Sequence, residues 1–189
     1  MTDTRTIFFI GKPGCGKGTQ AKLLGEHTGW PVFGSGKEFR AISEEDTEVG
    51  RKVREEIDKG ILSPPWFAMY LYQKALFSIP EGQSAIFDGF NRKVQESVLV
   101  VESLSWLSRP FNVVHIAISD EEVMKRIAVR KTEGARADDD FVPERLKEYY
   151  KYTQEAVDIF RSAHALIDVD GERPIDVIAA DVRAKLGIA

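Results

Sequence analysis

The stretch Gly11-Lys12-Pro13-Gly14-Cys15-Gly16-Lys17-Gly18-Thr19 lies directly behind an apolar run, Thr6–Ile10, and opens a helical pattern, Lys17–Thr28. Strand, glycine-rich turn and helix start, in that order, build a cradle for phosphate. Glycines let successive backbone N–H groups converge on one anion, which side chains would block. The helix behind adds the positive end of its dipole, and Lys17 adds a point charge for the outer phosphates. A mere glycine-rich turn would leave Lys17 and the glycine density without a cause. Cys15 reads as a small neutral filler of the loop rather than a reactive thiol.

Outward from the loop, short apolar runs alternate with longer amphipathic stretches. That alternation is the pattern of a parallel sheet with crossover helices. Strands are expected at Thr6–Ile10, Pro31–Phe33, Ser84–Phe87, Asn112–Ile118 and Ala165–Val169, whose unalternated Ile, Phe and Val content suits strands covered on both faces. Helices are expected at Lys17–Thr28, Glu48–Asp58, Trp66–Phe77, Val94–Ser105, Glu121–Arg130, Pro143–Arg161 and Pro174–Leu186. Two regions interrupt the rhythm. Residues 35–65 exceed one crossover and read as a small helical insert, and Lys131–Phe141, polar and highly charged, reads as a loop between helices.

Composition narrows the class. At 189 residues and 43% hydrophobic, the chain is expected to form one domain with one substantial core. A net charge of −4 offers no global basic field for nucleic acid. One cysteine excludes an internal disulfide and a cysteine-based zinc cluster within the chain. The opening apolar stretch is too short for a signal segment or a membrane span, so a soluble cytoplasmic protein is expected. His27, His115 and His164 lack metal-ligand spacing, and Trp30, Trp66 and Trp106 read as packing residues.

The loop departs from the generic phosphate-binding pattern in one respect: Gly18 separates Lys17 from Thr19. In this it resembles the opening of adenylate kinases and related nucleoside monophosphate kinases, and the likeness runs along nearly the whole chain. Ser35-Gly36-Lys37-Glu38-Phe39-Arg40 is similar to that family's Thr-Gly-Asp-Leu-Leu-Arg, and Gly60-Ile61-Leu62-Ser63-Pro64 to its Gly-x-Leu-Val-Pro turn. Asp88-Gly89-Phe90-Asn91-Arg92 stands where the family has Asp-Gly-Phe-Pro-Arg. Arg126 and Arg130 resemble its paired arginines before the lid, Arg136-Ala137-Asp138-Asp139 its lid exit, and Arg145-Leu146-Lys147-Glu148-Tyr149 the helix after it.

The resemblance implies an α/β P-loop NTPase fold of three layers around a five-stranded parallel sheet. It carries a monophosphate-binding insert at about 35–65 and a short, zinc-free lid at about 131–141. It implies phosphoryl transfer from ATP, with Mg²⁺, to a nucleoside monophosphate, by a cytoplasmic protein that works as a monomer without nucleic acid or membrane. Lys17, Arg92, Arg130, Arg136 and Arg145 would act on the transferring group. Gly14, Cys15, Gly16, Lys17, Gly18, Thr19, Arg126 and Gly171 would bind ATP. Ser35, Gly36, Arg40, Gly89, Arg92, Gln95 and Glu96 would bind the monophosphate, and Asp88 would order the water around Mg²⁺. The residue types suit the chemistry, because the acceptor phosphate is itself the nucleophile and catalysis is positioning and charge neutralisation. Arginine stays charged and can grip two phosphate oxygens at once.

Three departures bear on the acceptor. Asn91 replaces proline, which relaxes φ and is expected to loosen the loop carrying Arg92. Lys37 stands in place of an aspartate. The family reads adenine with a glutamine four residues after the arginine; here that position is Glu96, and Gln95 precedes it. A glutamine accepts from adenine N6 and donates to N1, whereas an ionised glutamate only accepts, which suits cytosine or guanine edges. AMP leads as the acceptor, with CMP, UMP or GMP as alternatives. A P-loop kinase for another small acceptor and a non-catalytic nucleotide-binding regulator are the other readings.

Overall fold

The computed structural model of the protein describes residues 5–134 and 137–188. Five strands, β1 Thr6–Gly11, β2 Val32–Gly34, β3 Ala85–Asp88, β4 Phe111–Ala117 and β5 Leu166–Asp170, pair in parallel in the order β2-β3-β1-β4-β5. Around them lie α1 Lys17–Thr28, α2 Ser35–Glu44, α3 Glu48–Ile57, α4 Pro65–Phe77, α5 Val94–Trp106, α6 Asp120–Gly134, α7 Val142–Glu148, α8 Gln154–Ser162 and α9 Ile175–Leu186.

The apolar β1 run explains the layering. All six of its residues are buried, because both faces of the sheet are covered. Ile7 and Phe9 join a cluster with residues of α1, α6 and α9, and Phe8 and Ile10 join one with residues of α4, α5 and α8. Alternate side chains of one strand therefore feed two cores. Phe8 stacks on Phe87 with ring centroids 5.0 Å apart, and such a fully buried side chain stabilises by about 1.5–3 kcal/mol. The two cores hold β1 at the centre, so the loop behind it opens at the carboxyl edge of the sheet. Ligands bind at that edge in open α/β folds, where the strand order switches sides.

Three local expectations change. The charged run after Arg130 begins as helix, since α6 continues to Gly134, and a 3₁₀ turn occupies Ala137–Phe141. Charge alone does not end a helix; Lys131 and Thr132 are compatible with one. The long helix expected at Pro143–Arg161 is broken into α7 and α8 by a π-helical turn at Tyr149–Thr153. Trp66 and Trp106 are 71% and 81% exposed, so neither serves as core packing. Trp30 does pack against the core. Among the described residues no helix is long and apolar enough to cross a membrane.

Candidate active site

The phosphate loop turns from β1 into α1 through Gly16, whose φ of 94° is left-handed backbone that favours glycine. Helix α1 starts at the next residue, Lys17, so its first N–H groups face the carboxyl edge of the sheet. Lys17 Nζ donates to the carbonyls of Lys12 at 3.1 Å and Gly11 at 3.4 Å. Burial in the loop pushes the Lys17 ammonium below the usual lysine range; Cys15 and Asp88 oppose the shift, and the positive Arg92 and Arg145 add to it. The thiol of Cys15 is buried behind the loop.

A cleft of about 680 Å³ runs from this loop to α2 and the end of α3. Gly14, Cys15, Gly16, Lys17, Gly18 and Thr19 line it at one end, with Arg126 and Arg130 above them. Ser35, Gly36, Lys37, Arg40, Gly89, Arg92 and Glu96 line the other end, and Asp88 and Arg145 also face it. Gly171 lies beside it, tied in through Arg126. Gln95 is exposed and is not among the lining residues. Arg136 lies outside the described residues.

Several cations are held before any ligand arrives. Arg126, on α6, donates from Nε to Glu122 Oε1 at 2.6 Å, from Nη1 to the Cys15 carbonyl at 3.3 Å, and from Nη2 to the Gly171 carbonyl at 2.6 Å. It thereby bridges the phosphate loop and the turn after β5 with a planar group. One helical turn on, Arg130 grips both oxygens of Asp139, with Nε to Oδ2 at 3.0 Å and Nη2 to Oδ1. Asp139 is only 1% exposed while Arg130 stays partly exposed, so the carboxylate is desolvated and its pairing restricts the guanidinium. Arg92 donates from Nε to the Gly89 carbonyl at 2.7 Å. Gly89 has φ +79°, and a Cβ there would meet Arg92 Nη2 at 2.7 Å and Ser35 Oγ at 2.8 Å. The glycine gives the guanidinium its room.

The loop presenting Arg92 differs from expectation. Asn91 adopts φ 60°, a conformation closed to proline, and is fully buried. The position is enclosed rather than loosened. Its carbonyl accepts from Ser97 Oγ at 3.4 Å, while its side-chain amide has no hydrogen-bond partner among the described residues, and we find no structural reason for that. Glu96 is 3% exposed, and its Oε2 accepts from the backbone N–H of Arg92 at 2.7 Å and of Lys93 at 3.3 Å. One carboxylate oxygen is thus engaged in starting α5, in the manner of a capping glutamate. Burial holds this carboxyl above its usual range, against the pull of those N–H groups and of the Arg92 and Lys93 charges.

Two features were not read from the sequence. Lys93 Nζ donates to the carbonyls of Leu62 at 3.3 Å and Ser63 at 3.0 Å, while Glu148 Oε2 accepts from Leu62 N–H at 3.1 Å. Two charged side chains from distant segments thus grasp the exit of the insert, which no spacing rule announces. His115 on β4 contacts Asp168 on β5 through Nδ1 at 2.7 Å and Tyr149 OH through Nε2 at 3.2 Å. Its signal was a polar residue inside an apolar strand.

Among the described residues no three His, Cys, Asp or Glu side chains converge on a metal position. Asp88 has a buried Oδ1 without a hydrogen-bond partner among the described residues, and its Oδ2 would be 3.1 Å from a Cβ built on Gly18. One half-buried carboxylate with an unused oxygen beside a phosphate loop fits hydrated Mg²⁺, which keeps several waters and uses few protein carboxylates.

Comparison with known proteins adds the following. A family model described as adenylate kinase matches residues 9–165. An adenylate kinase of Maricaulis maris is 34% identical over 183 residues, covering 95% of this chain and 97% of that protein. An adenylate kinase of Thermus thermophilus is 32% identical over 187 residues, covering 97% and 98%. One of Archaeoglobus fulgidus is 30% identical over 210 residues, covering 95% and 97%.

Proposed function

The chain belongs to the adenylate kinase family, and from that premise we propose how its cleft carries out reversible phosphoryl transfer, ATP + AMP = 2 ADP. The observation that carries the reading is the lining of one cleft by the phosphate loop at one end and by Arg40 and Arg92 at the other, with Arg130 and Arg145 also facing it. A cleft serving a single nucleotide has no need of a second set of phosphate-binding arginines.

In this reading the loop N–H groups and Lys17 hold the outer phosphates of ATP, and Gly14 to Thr19 wrap them. Arg126 and the neighbouring Gly171 carry the donor nucleotide, with the guanidinium plane offered to its base. Arg40 and Arg92 hold the AMP phosphate, with Ser35, Gly36 and Gly89 leaving space for it. Glu96, rather than the exposed Gln95, takes the acceptor base and accepts from its exocyclic amine. An AMP phosphate oxygen attacks the γ-phosphorus in line; the new P–O bond forms as the bond to the departing ADP breaks. No proton transfer to a side chain is required. Arg130, fixed by Asp139, and Arg145 neutralise the charge that spreads over the transferring group, and Arg136 joins them on sequence grounds.

Mg²⁺, when bound with ATP, would supply further charge neutralisation at the outer phosphates, with its water shell ordered by Asp88. Residues 35–65 serve as the acceptor-binding insert, and the segment from Lys131 to Phe141 as the short cover that excludes water. The enzyme is taken as a cytoplasmic monomer needing neither zinc nor nucleic acid. Lys17→Ala tests the reading: it should abolish ADP formation from ATP and AMP while the circular dichroism spectrum and melting transition persist. Turnover retained in that variant would overturn the placement of the donor phosphates.

A further inference from the structure

The π-helical turn Tyr149–Thr153 sits between α7, which carries Arg145, and α8, which is anchored in the core by Ala156, Val157 and Phe160. A π-turn adds a residue to the helical repeat, and each residue of an α-helix advances the phase by about 100°. With α8 fixed, the turn decides which face α7 offers to the cleft. Such turns are rare, so something must hold this one in place.

The holding contacts are two adjacent phenols. Tyr149 OH meets His115 Nε2 at 3.2 Å, and His115 Nδ1 meets Asp168 Oδ1 at 2.7 Å. His115 and Asp168 are register partners on β4 and β5, so the chain of contacts ends on the sheet itself. Tyr150 OH donates to Asp120 Oδ1 at 2.8 Å, and the same oxygen accepts from Lys12 Nζ at 2.6 Å. The Lys12 carbonyl in turn accepts from Lys17 Nζ. One phenol therefore ties the turn to the sheet, and the other ties it to the phosphate loop. The Tyr149 N–H bonds back to the Arg145 carbonyl one helical turn earlier.

We propose that Tyr149, supported by His115 and Asp168, is a positioning residue for phosphoryl transfer: its hydroxyl holds the π-turn and thereby keeps Arg145 directed into the cleft. The inference rests on the role given to Arg145 under the proposed function. Burial raises the Tyr149 hydroxyl to about 12, so the phenol stays protonated. Tyr149 forms no bond with the reacting atoms in this account; it acts through Arg145.

The test is the single-turnover rate of ADP formation in Tyr149→Phe, His115→Asn, the double variant, His115→Gln and Arg145→Ala. Asparagine keeps a donor where Nδ1 meets Asp168 but does not reach the phenol, whereas glutamine reaches the phenol. Tyr149→Phe and His115→Asn should each slow transfer by roughly three- to tenfold, the range of one lost hydrogen bond. The double variant should be no slower than either single, His115→Gln should stay near wild type, and the KM for AMP should hold. A merely structural role would lower the melting temperature and leave the transfer rate unchanged. An unchanged rate in Tyr149→Phe, or multiplying losses in the double variant, overturns the proposal. If Tyr149→Phe does not fold, His115→Asn removes the same bond from the other side, and its contrast with His115→Gln decides. Wild-type rates in Arg145→Ala would instead defeat the role of Arg145, while a large loss there with none in Tyr149→Phe defeats only the brace.

Discussion

Gly89→Ala is the sharpest perturbation of the acceptor half of the site. At φ +79° an alanine is strained by about 1–2 kcal/mol, and this much should appear as lost stability. The new methyl would lie 2.7 Å from Arg92 Nη2 and 2.8 Å from Ser35 Oγ, well inside ordinary contact. Ser35 is buried at the first turn of α2, so its hydroxyl has little room to retreat. The guanidinium is the mobile partner, and it must leave the position from which, in the proposed function, it would grip the AMP phosphate. Losing one hydrogen bond to a charged group costs about 1.5–3 kcal/mol, hence a rise of roughly 10- to 150-fold in the AMP KM. Neither Gly89 nor Arg92 is assigned to the donor nucleotide, so the ATP KM should move by no more than about twofold, well under 1 kcal/mol. Steady-state kinetics with each nucleotide varied at saturating concentrations of the other separates the two constants. An unchanged AMP KM, or equal increases in both constants, would refute the assignment of Arg92 and Gly89 to the acceptor.

Other variants probe the remaining supports. Asn91→Gly fits φ 60° without strain and should keep kcat/KM for AMP within about threefold; Asn91→Pro cannot adopt that angle and should lower it by roughly 5- to 150-fold, the effect of about 1–3 kcal/mol of strain, and equal activity of the two would contradict the observed backbone. Glu96 has a raised folded-state carboxyl, so between its ordinary value and that raised value the native protein holds the proton more tightly than the unfolded chain, and stability falls as pH rises through this window. Glu96→Gln removes that dependence while still capping α5, so its melting temperature should gain on wild type from pH 4 to pH 7; a loss across the same range would reverse the sign. Arg126→Ala removes contacts to the Cys15 and Gly171 carbonyls and should raise the ATP KM roughly tenfold, about 1.4 kcal/mol, with the AMP KM unmoved in the same assay.

The parts of the fold legible in the sequence were those governed by local pattern. Each of the five apolar runs is a strand within a residue or two of its expected bounds; the continuous apolar run marks the fully buried β1 best, while β2 and β5 at the sheet's edges stay partly exposed. The phosphate loop was legible because a glycine-rich turn between strand and helix has few other uses. The break at Tyr149 was not, since the helical periodicity of Pro143–Arg161 continues through it, and the turn is held by hydroxyl contacts to residues distant in the chain. Asn91 shows a second limit. Its residue type suggested relaxation, whereas the folded chain buries it, holds it at a left-handed φ and ties its carbonyl to Ser97. Glu96 was visible as a departure, but the engagement of one of its oxygens with backbone N–H groups depends on the fold of that turn.

The measurement that bears most directly on the account is ADP formation by the purified protein with ATP and Mg²⁺ against AMP, GMP, CMP, UMP and dTMP in turn, under one coupled assay. AMP should be phosphorylated with the highest kcat/KM, and Lys17→Ala should be inactive with every acceptor. Absence of ADP from folded wild-type protein with all five would contradict the enzyme itself, and a clear preference for GMP or CMP would contradict AMP as its acceptor.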